Sequence, residues 1–266
     1  MESGSAHALT DSKFWDARWD DTDRNVGFAD PRWVTHNYQY AALDRALRSA
    51  LPRGEPLTFM ELGCGQARWM VYFHRVFGYR VFGCDYSPVG CDLARQTLTK
   101  AAVSGVVEEA DFLQLKGRYD VVMSAGVVEH FENGGDIVAA FARLLQPGGF
   151  LITDVPNLAG FNGTLHRLLK PDTFESHRVV RFEDLRAWHR SAGLEETLAM
   201  PYGSVSLCRL PRRPFTTRRA ARAWATFYRL AQGSANRASF ALDRIGLAPD
   251  HPSISPHLIV IGRRPR

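Results

Sequence analysis

The sequence predicts an α/β fold: a mostly parallel sheet covered by helices on both faces. Two observations carry this. Short apolar runs that read as strands alternate with amphipathic helical segments in units of roughly thirty residues, the pattern of stacked βαβ units. Strand candidates also end in acidic residues or glycine turns, at Glu61 to Gly65, at Asp85 and at Asp111.

Taken in order, Phe14 to Asp20 places Phe14, Trp15 and Trp19 at helical spacing, and Trp33 to Leu51 continues as a second amphipathic segment. Leu57 to Leu62 is an apolar run stopped by Gly63-Cys64-Gly65, a buried strand ending at a tight turn, with a helix expected from Ala67 to Phe77. Tyr79 to Cys84 is the next strand, closed by Asp85, after which Ser87-Pro88 opens a helix through Cys91, Ala94 and Leu98. Val106 and Val107 begin a third strand with acids at its exit, and Tyr119 to Ser124 forms a fourth. Ile137 to Leu145 reads as a helix, Pro147-Gly148-Gly149 as a turn and Phe150 to Asp154 as the fifth strand. Beyond Val155 the rhythm loosens to a helix over Phe182 to Ser191 and strands over Leu194 to Ala199 and Leu258 to Gly262. Arg209 to Leu247 reads as an inserted helical pair.

The 266 residues read as one domain. Residues 1–55 form an N-terminal helical lid, 56–155 a ligand-binding core, and 156–266 a substrate-recognition part with the helical insertion at about 209–247. No apolar run reaches the length of about 18 residues that a membrane span requires, and residues Met1 to Asp11 show no secretory signal, so a cytoplasmic protein is expected. Cys64, Cys84, Cys91 and Cys208 lack zinc-ligand spacing and are expected reduced; no metal site is assigned. The net charge of +5 is concentrated in the late arginines Arg209, Arg212, Arg213, Arg218, Arg219 and Arg222. A solvated helical face accounts for them, and an anionic ligand or surface is the alternative.

Glu61-Leu62-Gly63-Cys64-Gly65 is the sharpest feature. Its glycines let the backbone approach a ligand and expose helix N-terminal amides. A dinucleotide site would want a third glycine where Arg68 stands and no carboxylate at Glu61 facing a pyrophosphate. An acid here suits a cation without phosphate, such as the aminoacyl sulfonium of S-adenosylmethionine. Asp85, at the end of the second strand, can accept from both ribose hydroxyls, and Asp111 can take an adenine amino group, with Phe112 or Tyr86 on the ring face. Each acid alone is more often a helix cap or a solvated loop residue; ligands of open parallel sheets bind at the edge where these three stand.

Phe59 to Gly65, Gly83 to Ser87, Ala110-Asp111-Phe112, Tyr119 to Val122 and Leu145 to Gly149 together resemble the ordered motifs of class I S-adenosylmethionine-dependent methyltransferases, over roughly Leu57 to Thr153. The resemblance implies a Rossmann-like sheet with S-adenosylmethionine as cofactor. It places Glu61, Gly63 and Gly65 at the methionine end, Asp85 at the ribose, Asp111 and Phe112 at the adenine, and Ser124 with Ala125 beside the sulfur, and Cys64 and Tyr86 are expected among the cofactor-binding residues. Gly126 to Phe131 resembles the segment after strand four in the branch that methylates quinones, sugars and polyketides. Phe14 to Trp19 with Gly27-Phe28 resembles the lid helix of thiopurine methyltransferases.

Methyl transfer is an in-line displacement, so the protein aligns the acceptor, excludes water and, for a hydroxyl, takes a proton. His130 is the first candidate base, with pocket shaping as its equal alternative; Glu129 either orients it or caps the next helix. Asp154 and Asn157 either hold acceptor hydroxyls or shape a turn. His166, His177 and Tyr202 fall in the substrate-recognition half, and Trp15, Trp19, Tyr38 and Tyr40 either roof the pocket or belong to the core. The acceptor is expected to be a carbohydrate, lipid-linked or natural-product molecule methylated on oxygen. Two alternatives stand beside this: a nucleic-acid methyltransferase, against which Ser124 to Val127 lacks the Pro-Pro-aromatic grip on a flipped base, and a non-catalytic S-adenosylmethionine-binding module. The Arg-rich insertion packs against the sheet by default, with a pocket wall, a homodimer contact or a docking face for anionic lipid as the functional alternatives.

Overall fold

Seven strands, β1 (Thr58–Leu62), β2 (Arg80–Asp85), β3 (Gly105–Glu109), β4 (Tyr119–Ala125), β5 (Leu145–Pro156), β6 (Glu195–Tyr202) and β7 (His257–Arg263), lie in one sheet in the order β3-β2-β1-β4-β5-β7-β6. The computed structural model describes residues 8–20, 32–207, 217–247 and 249–266. The first five strands pair in parallel, and β7 runs antiparallel between β5 and β6. β1 and β4 sit side by side where the chain reverses its direction of travel across the sheet, and between their carboxyl ends opens the crevice in which such sheets bind ligands.

The central strands are covered on both faces, which is why Phe59, Met60, Glu61 and Leu62 are buried in succession instead of alternately. On one face, α3 (Tyr38–Ala50), α4 (Arg68–Phe77) and α5 (Pro88–Ala101) supply Leu43, Leu47, Phe73, Phe77, Ala94 and Leu98 to a core that includes Phe59. On the other, α6 (Gly134–Ala142) and α9 (Phe182–Ser191) bring Phe141 and Leu185 against Met60, Leu62, Val122 and Leu151.

Several boundaries differ from the sequence reading, each for a local reason. The segment expected from Trp33 to Leu51 divides into α2 (Arg32–His36) and α3 because Asn37 is extended and its side chain accepts from the Gln39 amide at 3.0 Å, capping α3. Of the helices expected as a lid over residues 1–55, α1 (Ser12–Asp20) lies over the sheet edge, whereas α3 is buried in the core. Pro147-Gly148-Gly149 is not a turn before the fifth strand but lies inside β5, where the register against β4 shifts and Gly148 takes φ +80°. The helical pair expected over Arg209 to Leu247 is, among the described residues, one helix, α10 (Arg218–Arg244), capped by Thr217; Arg209, Arg212 and Arg213 lie outside the described residues. Two further helices, α7 (Phe161–Leu169) and α8 (Pro171–Glu175), follow β5 where no regular element was expected. Cys64, Cys84 and Cys91 are buried free thiols, and Cys208 lies outside the described residues.

Candidate active site

Parallel register brings the ends of β1 and β2 together, with Glu61 opposite Gly83 and Leu62 opposite Cys84. Glu61 is 4% exposed, and its Oε2 accepts from the Met70 amide in the first turn of α4 at 3.0 Å. Burial raises its carboxyl to about 8 against the pull of that amide, with Asp85 pushing further up and Arg68 pulling down. Asp85 is 5% exposed; its Oδ2 accepts from the Gly65 amide at 2.8 Å and its Oδ1 from Ser87 at 2.9 Å. Burial raises this carboxyl as well, although three backbone amides oppose the shift. Gly63 and Gly65 take φ of +67° and +41°, and a Cβ on Gly63 would come within 2.7 Å of Val127. The turn therefore needs glycine for both its conformation and its close approach to the loop after β4.

α1 lies over this turn. Ser87 Oγ donates to Asp16 at 2.5 Å, and the Leu9 amide donates to the His130 carbonyl at 2.8 Å. Trp15 and Trp19 stack at 5.7 Å, and Trp19 sits against both Gly65 and Gly90. A wide chamber of about 730 Å³ is lined by Phe14, Arg18, Glu61, Gln66, Arg68 and Trp69. A narrow one of about 80 Å³ is lined by Asp85, Tyr86, Ala110, Phe112, Val127 and His130. Trp19, Gly63 and Ala125 border both.

Glu61 and Cys64 line the wide chamber, Asp85, Tyr86 and Phe112 the narrow one, and Gly63 and Ala125 both, so these residues border the two adjoining chambers of one crevice. Gly65 forms its floor beneath Trp19. Ser124 is fully buried, its Oγ without a hydrogen-bond partner. Asp111 is not brought in: it is exposed, and its Oδ1 caps the turn Phe112–Gln114 by accepting from Leu113 at 2.9 Å. Tyr38 is a core residue bonded to Asp250 at 3.1 Å, whereas Tyr40 lies near Arg68 and Asp154. Sequence reasoning did not single out Arg18, Gln66 or Trp69. Gln66 alone carried a signal, as the residue immediately after the glycine turn.

A second group surrounds the exit of β4. The His130 Nδ1 lies 2.9 Å from the Ser176 carbonyl, which can only accept, so Nδ1 carries the proton and Nε2 presents a lone pair. Burial lowers this imidazole to about 3, helped by His177, whose ring centre lies 4.4 Å away. Glu129 is 1% exposed, its Oε2 has no hydrogen-bond partner, and burial raises its carboxyl to about 8. Among the described residues, Glu129, His130 and His177 are the group whose ligand atoms, within 4.8 Å of one another, could hold a metal ion. Asp154 lies close by, 3.2 Å from His257 Nδ1 and bonded to Tyr202. Asn157 is committed elsewhere, its Nδ2 donating to the carbonyls of Pro252 and Ser255, so it anchors the turn before β7. His166 is half-buried and electrostatically coupled to His177 and His257.

The raised carboxyls have a measurable consequence. A group held near 8 in the folded chain and near 4.5 when unfolded contributes stability that is complete below pH 4.5 and lost as pH rises through about 8. Glu129→Gln should therefore melt several degrees higher than the unmodified chain at about pH 9 and near it at about pH 4.5, as followed by circular dichroism. Equal differences at both pH values would contradict the shift.

Residues 60–153 match a family described as a methyltransferase domain. A ubiquinone biosynthesis O-methyltransferase of Nitrosococcus oceani is 29% identical over 126 residues, 40% of this chain and 53% of that protein. Its counterpart in Cereibacter sphaeroides is 32% identical over 170 residues, 58% of this chain and 66% of that protein. The chain thus spans between about half and two thirds of the length of these two relatives. Geranyl diphosphate C-methyltransferase from Streptomyces coelicolor A3(2), solved with Mg2+, geranyl diphosphate and S-adenosyl-L-homocysteine, shares the fold. Its TM-score is 0.61 over 97% of this chain and 100% of that one, at 16% identity.

Proposed function

We propose that this chain, a class I S-adenosylmethionine-dependent methyltransferase in its fold and in its residue 60–153 domain, methylates a hydroxyl oxygen of a small molecule. The observation that carries the reading is the pair of buried carboxylates, Glu61 and Asp85, standing beside a glycine turn at the exits of adjacent parallel strands. Two neighbouring acids that burial forces toward neutrality suit a cationic ligand, which restores their charge and gains from it. S-adenosylmethionine supplies an electrophilic methyl on a sulfonium.

Glu61 holds the cationic aminoacyl end, and Asp85 receives the ribose hydroxyls through the lone pairs its two amide contacts leave. Phe112 and Tyr86 flank the base, while Asp111 stays at its capping post and serves the adenine only through the placement of Phe112. With Trp19 across Gly65 and Gly90 the two chambers are separate. Movement of α1 away from the turn joins them into one groove, and its return excludes water from the transfer. His130 Nε2 takes the acceptor's proton as the oxygen attacks. Ser176 fixes the ring through Nδ1, and Glu129, once ionised, stabilises the imidazolium. Asp154 with His257 and Tyr202 forms the wall that positions the acceptor. The oxygen acceptor follows from this base, from the resemblance of Gly126 to Phe131, and from the O-methyltransferases among the relatives.

The test is transfer of labelled methyl from S-adenosylmethionine to a panel of phenolic, sugar and aliphatic hydroxyl compounds, with amines and carbon acids alongside. Label appearing as methyl ether supports the reading. Cofactor binding with no transfer to any acceptor would favour a non-catalytic module, and label on nitrogen or carbon alone would overturn the choice of oxygen.

A further inference from the structure

α10 presents a surface that the methyltransferase reading does not use. The helix is 27 residues long and is anchored along one side. Phe240 meets Tyr38 edge-on at 5.5 Å, Ser239 Oγ donates to Ser204 at 2.6 Å, and Gln232 bonds both Val205 and Leu207. Its opposite side is exposed and apolar. Phe227 is 58%, Leu230 63% and Ile245 70% exposed, and Ala223, Ala238 and Ala241 continue the same line. At about 100° per residue these six positions, with Ile245 just past the helix end, fall within an arc of about 80°, which the exposed Ser234 interrupts. Beside that stripe, all six arginines of the helix fall within a further arc of about 100°, among them Arg222, Arg229 and Arg237. The helix has one acid, Asp243, and it is already paired with Arg45 at 3.0 Å. Six arginines against one aspartate give α10 a formal charge of +5, equal to that of the whole chain.

We infer that α10 is a docking surface for an anionic lipid bilayer, its apolar stripe entering the acyl boundary and its arginine flank meeting the headgroups. An exposed apolar stripe with arginines along its edge is the pattern of a helix lying in the plane of a membrane interface. The one-sided charge favours anionic over zwitterionic lipid. No helix of the described residues is long and apolar enough to cross a membrane, so the contact is peripheral. Tyr228, on α10, and Tyr40, on α3, are electrostatic neighbours, and Tyr40 lies near Arg68 and Asp154.

The inference is independent of the reaction and is tested without it. The full chain is floated with phosphatidylcholine vesicles and with vesicles containing about 30% phosphatidylglycerol, at low and high salt. Two double variants accompany it, Phe227→Asp with Leu230→Asp and Arg222→Glu with Arg229→Glu. Melting temperature and S-adenosylmethionine affinity serve as folding controls, since all four side chains are exposed. The expected result is flotation with the anionic vesicles alone, weakened by salt, and reduced at least about tenfold in each double variant. Absence of flotation, equal flotation on both lipids, or unchanged flotation of the variants would overturn it. So would a stable dimer that the Phe227/Leu230 variant dissociates, or retention on RNA without vesicle binding.

Discussion

Glu61→Gln is expected to weaken binding of S-adenosylmethionine by about 10- to 100-fold at a pH above 8, measured by titration calorimetry. A charge-assisted contact in a buried site contributes about 1.5–3 kcal/mol, and the amide keeps the shape of the acid while removing its charge. The melting temperature should not fall, because the ionised acid is itself destabilised by its burial. S-adenosylhomocysteine, which lacks the sulfonium charge, should lose less affinity than the methyl donor. An affinity for the donor within threefold of the unmodified chain would remove Glu61 from the cation site.

His130→Ala is the second change of large effect. A positioned general base contributes about 10²- to 10⁴-fold, so kcat for a hydroxyl acceptor should fall by that factor while cofactor affinity changes little. The alternative role, shaping the narrow chamber against Trp15 at 4.9 Å, makes the opposite forecast: weaker cofactor binding and a nearly intact kcat. The unmodified enzyme should also gain rate as pH rises toward about 8, where Glu129 ionises and can support the imidazolium.

The Glu61 and Asp85 side of the crevice was more legible in the sequence than the His130 side, for a physical reason. Glu61, Asp85 and the glycine turn stand at strand ends, and parallel register fixes their neighbours once the strands are identified. Asp111 shares the sequence signature of a strand-exit acid, but a local amide two residues on captures its carboxylate, and nothing in the pattern distinguishes cap from ligand. The His130 side is built from distant pieces. Ser176 reaches His130 only because α7 and α8 fold back over the sheet edge, and their short segments show too little apolar periodicity to be seen as helices. Asn157 finds its carbonyls near Ser255, about a hundred residues away, and His257 reaches Asp154 only through the antiparallel pairing of β7 with β5. The glycines of Pro147-Gly148-Gly149 signal backbone freedom correctly, but β5 uses it for an irregularity within the strand and not for a turn before it.

The central claim is that a cation replaces a proton at Glu61. Titration calorimetry of S-adenosylmethionine between about pH 6 and about pH 9, in two buffers of different ionisation enthalpy, reads both affinity and proton release. With the carboxyl raised to about 8 in the free protein, affinity should tighten by up to about tenfold per pH unit below that value, with close to one proton released at the acid end. Affinity that is constant over the range, with no proton released, would contradict the account.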